Sequence, residues 1–372
     1  MKKVVNPLFP GLVDDLGREV LTKMSYQDLP TASLVCKAWN DEITSHDFSR
    51  FRKAASMARP IVILAQAQID DKKSNLDRCS LGKLNPARPR YRLVLFDPET
   101  QDWTRLPEIP GMSGGLPMFC GLVGFGFGWD ILIIGGLDPV TWQTSNDVYI
   151  YSFLSGKWRK SADMAGVRRS FFGCATSDDD RTVVVAGGHD EDKNALKSAI
   201  LYDVDKDEWT PLPDMAVTRD ECKVIFHRGK FHVISGYPTD SQGCFNRTAE
   251  VFDKSTWRWG PVIENFLGPS ASPSSCVAGL DGRVYACVGR RSGEVAVRLG
   301  DKGQVISRIP ADVSSSHSIV VCEKDKLLVI GSSKIGEGNK GYMLDLKSYI
   351  WTQIDVPMEF CGHVQSSCVL EI

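Results

Sequence analysis

The sequence predicts an all-β domain of six similar units behind a short α-helical head. Three observations carry this. First, Trp103, Trp158, Trp209, Trp259 and Trp351 are 55, 51, 50 and 92 residues apart, the last being two periods of 46 with one tryptophan missing. Second, short apolar runs end in glycine at the same period: Gly135-Gly136, Gly187-Gly188, Ser235-Gly236, Val288-Gly289 and Ile330-Gly331. Third, residues 8–53 carry apolar residues at four-residue rather than two-residue spacing.

In the head, Leu12, Leu16, Val20 and Met24 mark a first helix, with Asp14 and Asp15 near its start, where the macrodipole favours negative charge. Ser25 and Asp28 resemble a capping box opening a second helix with Pro30 early in it, and Val35, Trp39 and Ile43 mark a third. A unit this small buries little surface alone, so its large apolar residues predict a docking surface as well as a core. A purely structural cap on the following domain is the competing expectation.

In the repeats, each tryptophan closes an eight-residue segment that begins with an aromatic or leucine, as in Phe96-Asp97-Pro98-Glu99-Thr100-Gln101-Asp102-Trp103. Matching segments start at Tyr151, Tyr202, Phe252 and Leu344, and in the unit Val297–Pro310 Gly303-Gln304 takes the tryptophan's place. Runs such as Ile131-Leu132-Ile133-Ile134 and Val183-Val184-Val185 read as buried strands. The tryptophan that follows supplies an apolar plate between units.

These residues carry two resemblances. The head resembles an F-box: Phe9-Pro10-Gly11-Leu12-Val13-Asp14-Asp15-Leu16, then Glu19-Val20-Leu21, then Leu34-Val35-Cys36-Lys37-Ala38-Trp39. Val13 stands where many members have proline, and Leu29-Pro30-Thr31 replaces a leucine-rich stretch. The period near 50 with its Gly-Gly, Tyr and Trp landmarks resembles the kelch repeat. The resemblance implies an all-β six-bladed kelch β-propeller with a small N-terminal α-helical F-box. The expected divisions are an F-box at 8–53, a connector at 54–59 and a propeller at 60–372, whose 313 residues give about 52 per blade.

The first run, Pro60-Ile61-Val62-Ile63-Leu64-Ala65, has no partner strand before it, whereas the chain ends in His363-Val364-Gln365-Ser366-Ser367-Cys368-Val369-Leu370. The C-terminal strand is therefore expected to complete blade one and shut the ring. Gln68–Arg90 becomes a long, polar, flexible loop inside that blade.

Composition narrows the function. Lys plus Arg is 44 against 46 Asp plus Glu, so a nucleic-acid partner is not expected. Eleven scattered cysteines contain no C-x-x-C pair, and Cys361-Gly362-His363 lacks the second pair of a zinc site. Asn246-Arg247-Thr248 is a chance sequon. Pro7, Pro10, Asp14 and Asp15 interrupt the N-terminal apolar stretch, so no signal peptide is expected. The run Leu116–Leu137 could fit a membrane helix, but its six glycines and central Gly128-Trp129-Asp130 favour two strands and a turn. We expect a soluble protein of the cytoplasm or nucleus.

Apparent chemistry has plainer readings. Gly124-Phe125-Gly126-Phe127-Gly128 opens no helix and reads as strand packing. Asp203, Asp205 and Asp207 lack the glycine a calcium loop needs and read as turn residues, as do Asp178-Asp179-Asp180. His189-Asp190-Glu191-Asp192 reads as a solvated loop, with cation binding as the alternative. No Asp box occurs and the six histidines are dispersed, so no enzyme and no cofactor are expected.

Aligning Asp163-Met164-Ala165 with Asp214-Met215-Ala216 sets Arg168 against Arg219, and the other blades offer Leu116, Ser272, Ser316 and His363 there. Arg168, Arg219, Ser272, Ser316 and His363 are the candidate target-binding residues. The alternative is that the arginines only tie blades together through carbonyls.

Head plus propeller resembles the F-box/kelch-repeat family of plants, which implies a substrate receptor of an SCF ubiquitin ligase. Leu12, Leu16, Val20, Leu34 and Val35 would dock on a Skp-type adaptor, with Trp39 either contact or core. The adaptor would bridge to cullin and a RING subunit while the propeller holds a target protein. Related members imply phenylpropanoid enzymes such as phenylalanine ammonia-lyase, or cytokinin response regulators, as targets. The competing class is a kelch scaffold that feeds no ligase.

Overall fold

A computed structural model of the chain describes residues 7–68, 90–112, 114–125, 128–268, 271, 275–288, 294–299, 302–313, 315–334 and 337–372. The loop expected at Gln68–Arg90 falls almost wholly outside them. The head holds four helices, one more than the sequence predicted: α1 (Asp14–Thr22), α2 (Leu29–Ser33), α3 (Lys37–Ile43) and α4 (His46–Ala54). The fourth follows from local chemistry: Ser45 Oγ accepts from Phe48 N (3.1 Å), Asp47 lies in its first turn and Arg52 and Lys53 in its last. At the start of α2, Ser25 Oγ accepts from Asp28 N (3.2 Å) and donates to its carboxylate (2.6 Å).

The head's core is Leu8, Leu21, Leu29, Ala32, Ile43 and Phe48. Helix α1 buries Gly17 and Leu21, so the four-spaced stripe beginning Leu12, Leu16 and Val20 lies on its outer side. The expected stripe of α3 is likewise mixed, running from exposed Val35 to buried Ile43. Arg52 is buried without a carboxylate. Its guanidinium donates to the carbonyls of Thr22 and Met24 (2.8 Å each) and Met57 (3.0 Å), and burial pulls its pKa down to about 10.

The remainder is an all-β propeller. Sheet one begins with β1 (Pro60–Ala67), β2 (Tyr91–Asp97) and β3 (Asp102–Arg105). Sheet two is β4 (Gly121–Phe125), β5 (Asp130–Leu137), β6 (Thr144–Ser152) and β7 (Lys157–Lys160). Sheet three is β8 (Gly173–Thr176), β9 (Thr182–Ala186), β10 (Ala199–Asp203) and β11 (Glu208–Pro211). Sheet four is β12 (Lys223–His227), β13 (Lys230–Ile234), β14 (Ala249–Asp253) and β15 (Arg258–Trp259). Sheet five is β16 (Val277–Ala278), β17 (Val284–Val288), β18 (Glu294–Leu299) and β19 (Lys302–Arg308). Sheet six is β20 (Ser315–Glu323), β21 (Lys326–Ser332), β22 (Lys340–Asp345) and β23 (Trp351–Ile354).

The last strand, β24 (Val364–Glu371), returns to sheet one and pairs antiparallel with β1, Ile61 opposite Leu370 and Ile63 opposite Cys368. The described strands thus make six four-stranded sheets, and their innermost strands neighbour one another in the closed cycle β24, β4, β8, β12, β16, β20. The apolar run Leu116–Leu137 contains the hairpin of β4 and β5, as the glycines predicted.

The tryptophans do more than fill the gaps. Each stands opposite an aromatic or leucine in its outer hairpin, as Trp209 does with Tyr202, and each reaches back to the preceding sheet. Trp158 Nε1 donates to the Pro107 carbonyl (3.0 Å), Trp209 to Ala162 (2.9 Å) and Trp259 to Pro213 (2.6 Å). Trp351 donates to Ser307 Oγ (2.8 Å), and Trp103 completes the circuit to the Asp355 carbonyl (3.1 Å). Sheet five, with Gly303 and Gln304 in its outer strand, has no tryptophan to reach sheet four. Inner strands also approach closely: a Cβ on Gly124 would lie 2.4 Å from Leu370 Cδ2, and one on Gly173 2.6 Å from Val224 N.

Two predictions follow from the packing. Trp209→Phe keeps the plate but loses the bond to Ala162, and is expected to cost about 1 kcal/mol in chemical denaturation. Trp209→Ala should cost about 3–5 kcal/mol. Asp130 is a second test. Burial, only partly offset by Ser152 and Arg159, lifts its carboxyl to about 6, and its Oδ1 is buried without a partner. A carboxyl whose folded pKa exceeds its unfolded one penalises the fold only where it ionises. The penalty is absent below about pH 4 and full above about pH 6. Asp130→Asn should therefore stabilise the protein by about 1–3 kcal/mol at pH 8 and leave it unchanged at pH 4.

Candidate functional site

Antiparallel order gives the propeller two unlike ends. One carries the tight turns within sheets, including Asp97–Asp102, and the end of β24. The head is fixed there. Arg59 N donates to the Ile372 carbonyl (2.7 Å) and Ile372 N donates back to Arg59 (2.9 Å). Tyr26 OH donates to Asp97 (3.2 Å), Arg59 to Glu99 (2.9 Å), and Lys53 pairs with Glu371 (2.8 Å). The other end carries the connections between sheets and the loops joining second to third strands.

On the head, Leu12, Leu16, Val20, Leu34 and Val35 are all exposed, from 36% at Leu12 to 82% at Leu34, and Val13 joins them at 65%. Trp39 differs. It is half-buried, its Nε1 donates to the Leu8 carbonyl (2.7 Å) and its ring packs on Phe9 (4.7 Å between centroids). It braces the segment leading into α1. Arg18 braces α1 against α3 through Glu42 (2.5 Å), a bond that raises its pKa.

At the loop end the two aligned arginines part. Arg168 is exposed, 3.5 Å from Glu191. Arg219 is wholly buried: it pairs with Glu250 (3.1 Å) and donates to the Ser235 carbonyl (2.8 Å) and Thr248 Oγ1 (2.9 Å). Its structural counterpart is Arg169, also buried, which donates to Gly187 (3.1 Å) and to Ser198 O and Oγ (2.9 Å each). Gly166 adds one residue to the earlier loop, which shifted the sequence alignment by one. Arg219 thus corrects the expectation of a recognition residue: its donors are used within its own sheet. Neither does it bridge blades by side chain, since Ser235, Thr248 and Glu250 all belong to sheet four.

Leu116 is buried. His363 is exposed, with Nδ1 3.2 Å from Tyr91 OH. Ser272 lies outside the described residues, and of Ser316 only the backbone, in β20, is described.

A network that the sequence reading missed lines the same mouth. Phe119 stacks on Phe171 (4.0 Å) and Phe171 on His189 (5.1 Å). His189 is no solvated loop residue: Nε2 lies 2.9 Å from Ser170 Oγ and Nδ1 2.9 Å from Asp220 Oδ2. The connectivity is that of a Ser-His-Asp triad, but Ser170 is completely buried, so its hydroxyl is out of a substrate's reach. The set clamps sheet three to sheet four. Tyr237 continues it, donating to Glu221 (2.7 Å) and meeting Phe245 edge-on (5.2 Å). Phe119, Phe171 and Glu221 hold equivalent corners at φ of 56°, 56° and 51°, a left-handed conformation unfavourable for such residues. A repeating non-glycine corner leaves no periodic apolar signal, which is why it escaped the reading.

The loop end also exposes Phe119, Val140, Trp142, Val167, Phe245 and Met358. Beside Arg168 it holds a cleft of about 480 Å³. Among the described residues no group of three or more histidine, cysteine or carboxylate side chains is placed to hold a metal, and no helix is long and apolar enough to cross a membrane.

The arginines separate by test. Arg219→Met leaves Glu250 buried and unpaired, and is expected to destabilise by about 3–5 kcal/mol. Arg168→Ala should stay within about 0.5 kcal/mol of the parent in the same denaturation series.

Comparison with known proteins places both parts. The F-box domain model matches residues 9–51 and the Kelch motif model matches 129–165 and 168–216. The chain is 49% identical over 372 residues to F-box/kelch-repeat protein At1g80440 of Arabidopsis thaliana, covering 98% of this chain and 99% of that one. It is 43% identical to F-box/kelch-repeat protein At1g15670 of the same plant (98% and 99% covered) and 33% identical to F-box/kelch-repeat protein SKIP20 (72% and 69%). With both domains matched and near-full-length relatives at this identity, the chain belongs to the F-box/kelch-repeat family.

Proposed function

We propose that this protein is the substrate receptor of an SCF-type ubiquitin ligase. The observation that carries the reading is the apolar face of the head, Leu12, Val13, Leu16, Val20, Leu34 and Val35, exposed on a unit whose core lies elsewhere. Surfaces of this kind mark interaction sites. An F-box implies that a Skp-type adaptor covers them, and through it cullin and a RING subunit are recruited. The competing scaffold reading called for a head buried against the propeller; the exposure of the apolar face on the docked head supports the receptor reading instead.

Each of the six sheets is taken as a blade, giving a six-bladed ring whose loop end receives the target. That end faces away from the head and exposes Phe119, Trp142 and Phe245. The protein then contributes proximity and orientation, with the chemistry left to the ligase partners. Phenylpropanoid enzymes such as phenylalanine ammonia-lyase and cytokinin response regulators are the targets to try first, in cytoplasm and nucleus.

The test is co-purification of the full chain with a Skp-type adaptor. A 1:1 complex is expected for the parent. Leu16→Asp with Val35→Asp should weaken it at least tenfold, with thermal unfolding of the propeller unchanged because both positions are exposed. Equal adaptor binding by the folded double variant, or no complex with the parent, would overturn the receptor reading.

A further inference from the structure

Three loops of sheet two enclose the cleft at the loop end. Gly111, Met112, Gly114, Gly115 and Pro117 lead into β4, Asp138 to Gln143 joins β5 to β6, whose first residues Thr144 to Asp147 also line the cleft, and Asp163 and Arg168 lead out toward β8. Its volume, about 480 Å³, falls in the range of small binding clefts.

Its chemistry is uneven. Asp138, Asp147 and Asp163 line it with a single cation, Arg168. Lys160 bridges Asp147 (2.8 Å) and Asp163 (3.1 Å), and Arg168 faces Glu191 (3.5 Å). Adding those two leaves four carboxylates against two cations, an excess of two negative charges. Asn146 also lines the cleft. Its Oδ1 is shut off from solvent and accepts no hydrogen bond from the described residues.

Val140 lines the cleft, and Trp142 and Val167 stand next in the chain to its lining residues Thr141, Gln143 and Arg168. Val140, Trp142 and Val167 are 60%, 52% and 49% exposed. Asp138 Oδ1 accepts from Val140 N (2.8 Å) and Thr141 N (2.7 Å), while Trp142 N donates to the Asp138 carbonyl (2.9 Å). Trp142 is held at φ 61°, a left-handed conformation unfavourable for a bulky residue. An exposed tryptophan on a preorganised loop is the usual composition of a binding hot spot, since little ordering entropy remains to be lost.

We propose that this cleft is where the target docks, and that it takes an extended protein segment bearing a lysine or arginine beside a large apolar side chain. The cation meets Asp138, Asp147 and Asp163, and the apolar side chain packs on Val140 and Trp142. This inference rests on the receptor reading and names its substrate class.

The test uses the full chain bound to its adaptor and a randomised dodecapeptide library displayed on phage. Selection is expected to enrich sequences with Lys or Arg next to Leu, Phe, Met or Trp. The best peptide, measured by fluorescence polarisation, should lose at least tenfold in affinity with Trp142→Ala and at least threefold with Asp163→Asn. Thermal unfolding of each variant establishes that the propeller is intact. Enrichment of acidic sequences, no enrichment, or affinity indifferent to both folded variants would overturn the proposal. The Leu16→Asp, Val35→Asp variant, free of adaptor, should bind the same peptide unchanged. Adaptor loss therefore sinks the receptor reading alone, and peptide loss sinks this one alone.

Discussion

Everything in this molecule depends on closing a ring. A four-stranded sheet with apolar residues on both faces is stable only between two neighbours, and a row of such sheets has neighbours at both ends only when it is closed. The pairing of β24 with β1 supplies that closure, uniting residues some 300 positions apart in one sheet. The tryptophans then seal the seams: each places an apolar plate over its own hairpin and a hydrogen bond on the sheet before it. Tight radial packing follows, which is why the inner strands tolerate glycine at Gly124 and Gly173 and little else.

Closure leaves the polar backbone of the loop end to be satisfied locally. Arg169 and Arg219 do this from inside, spending their donors on the carbonyls that the glycine-ended strands leave open. These guanidiniums are buried, whereas Arg168, Trp142 and the carboxylates at the loop end of sheet two stay outside, where the proposed recognition would have to occur. A buried and an exposed arginine, Arg169 and Arg168, stand side by side in the chain and differ only in which way the loop turns.

The same closure connects the two halves. The last residue of the ring, Ile372, exchanges backbone hydrogen bonds with Arg59 at the exit of the head. Arg52 binds that exit to α1, and Tyr26, Arg59 and Lys53 fasten the head to the turns beneath it. The exposed apolar face of the head and the loop end of the propeller are thereby held at a fixed relation, which the proposed receptor role would require.

The family and the propeller were legible because both rest on periodic apolar patterns that survive in one dimension. Glycine-ended strands, the tryptophan period and the return of the C-terminal strand were all readable, as was an apolar set on the head, Leu12, Leu16, Val20, Leu34 and Val35, that the fold leaves exposed. Capping at Ser45 is a local signal as well, and α4 could have been found from it. What the sequence could not determine was which polar residues turn inward. Arg168 and Arg169 are adjacent and chemically identical, and only the extra residue Gly166 decides that the second reaches Ser198 while the first meets solvent. The His189 clamp, the burial of Arg219 and the cleft beside Trp142 each join residues from separate loops. Their positions are fixed by ring closure, and no run of neighbouring residues encodes them.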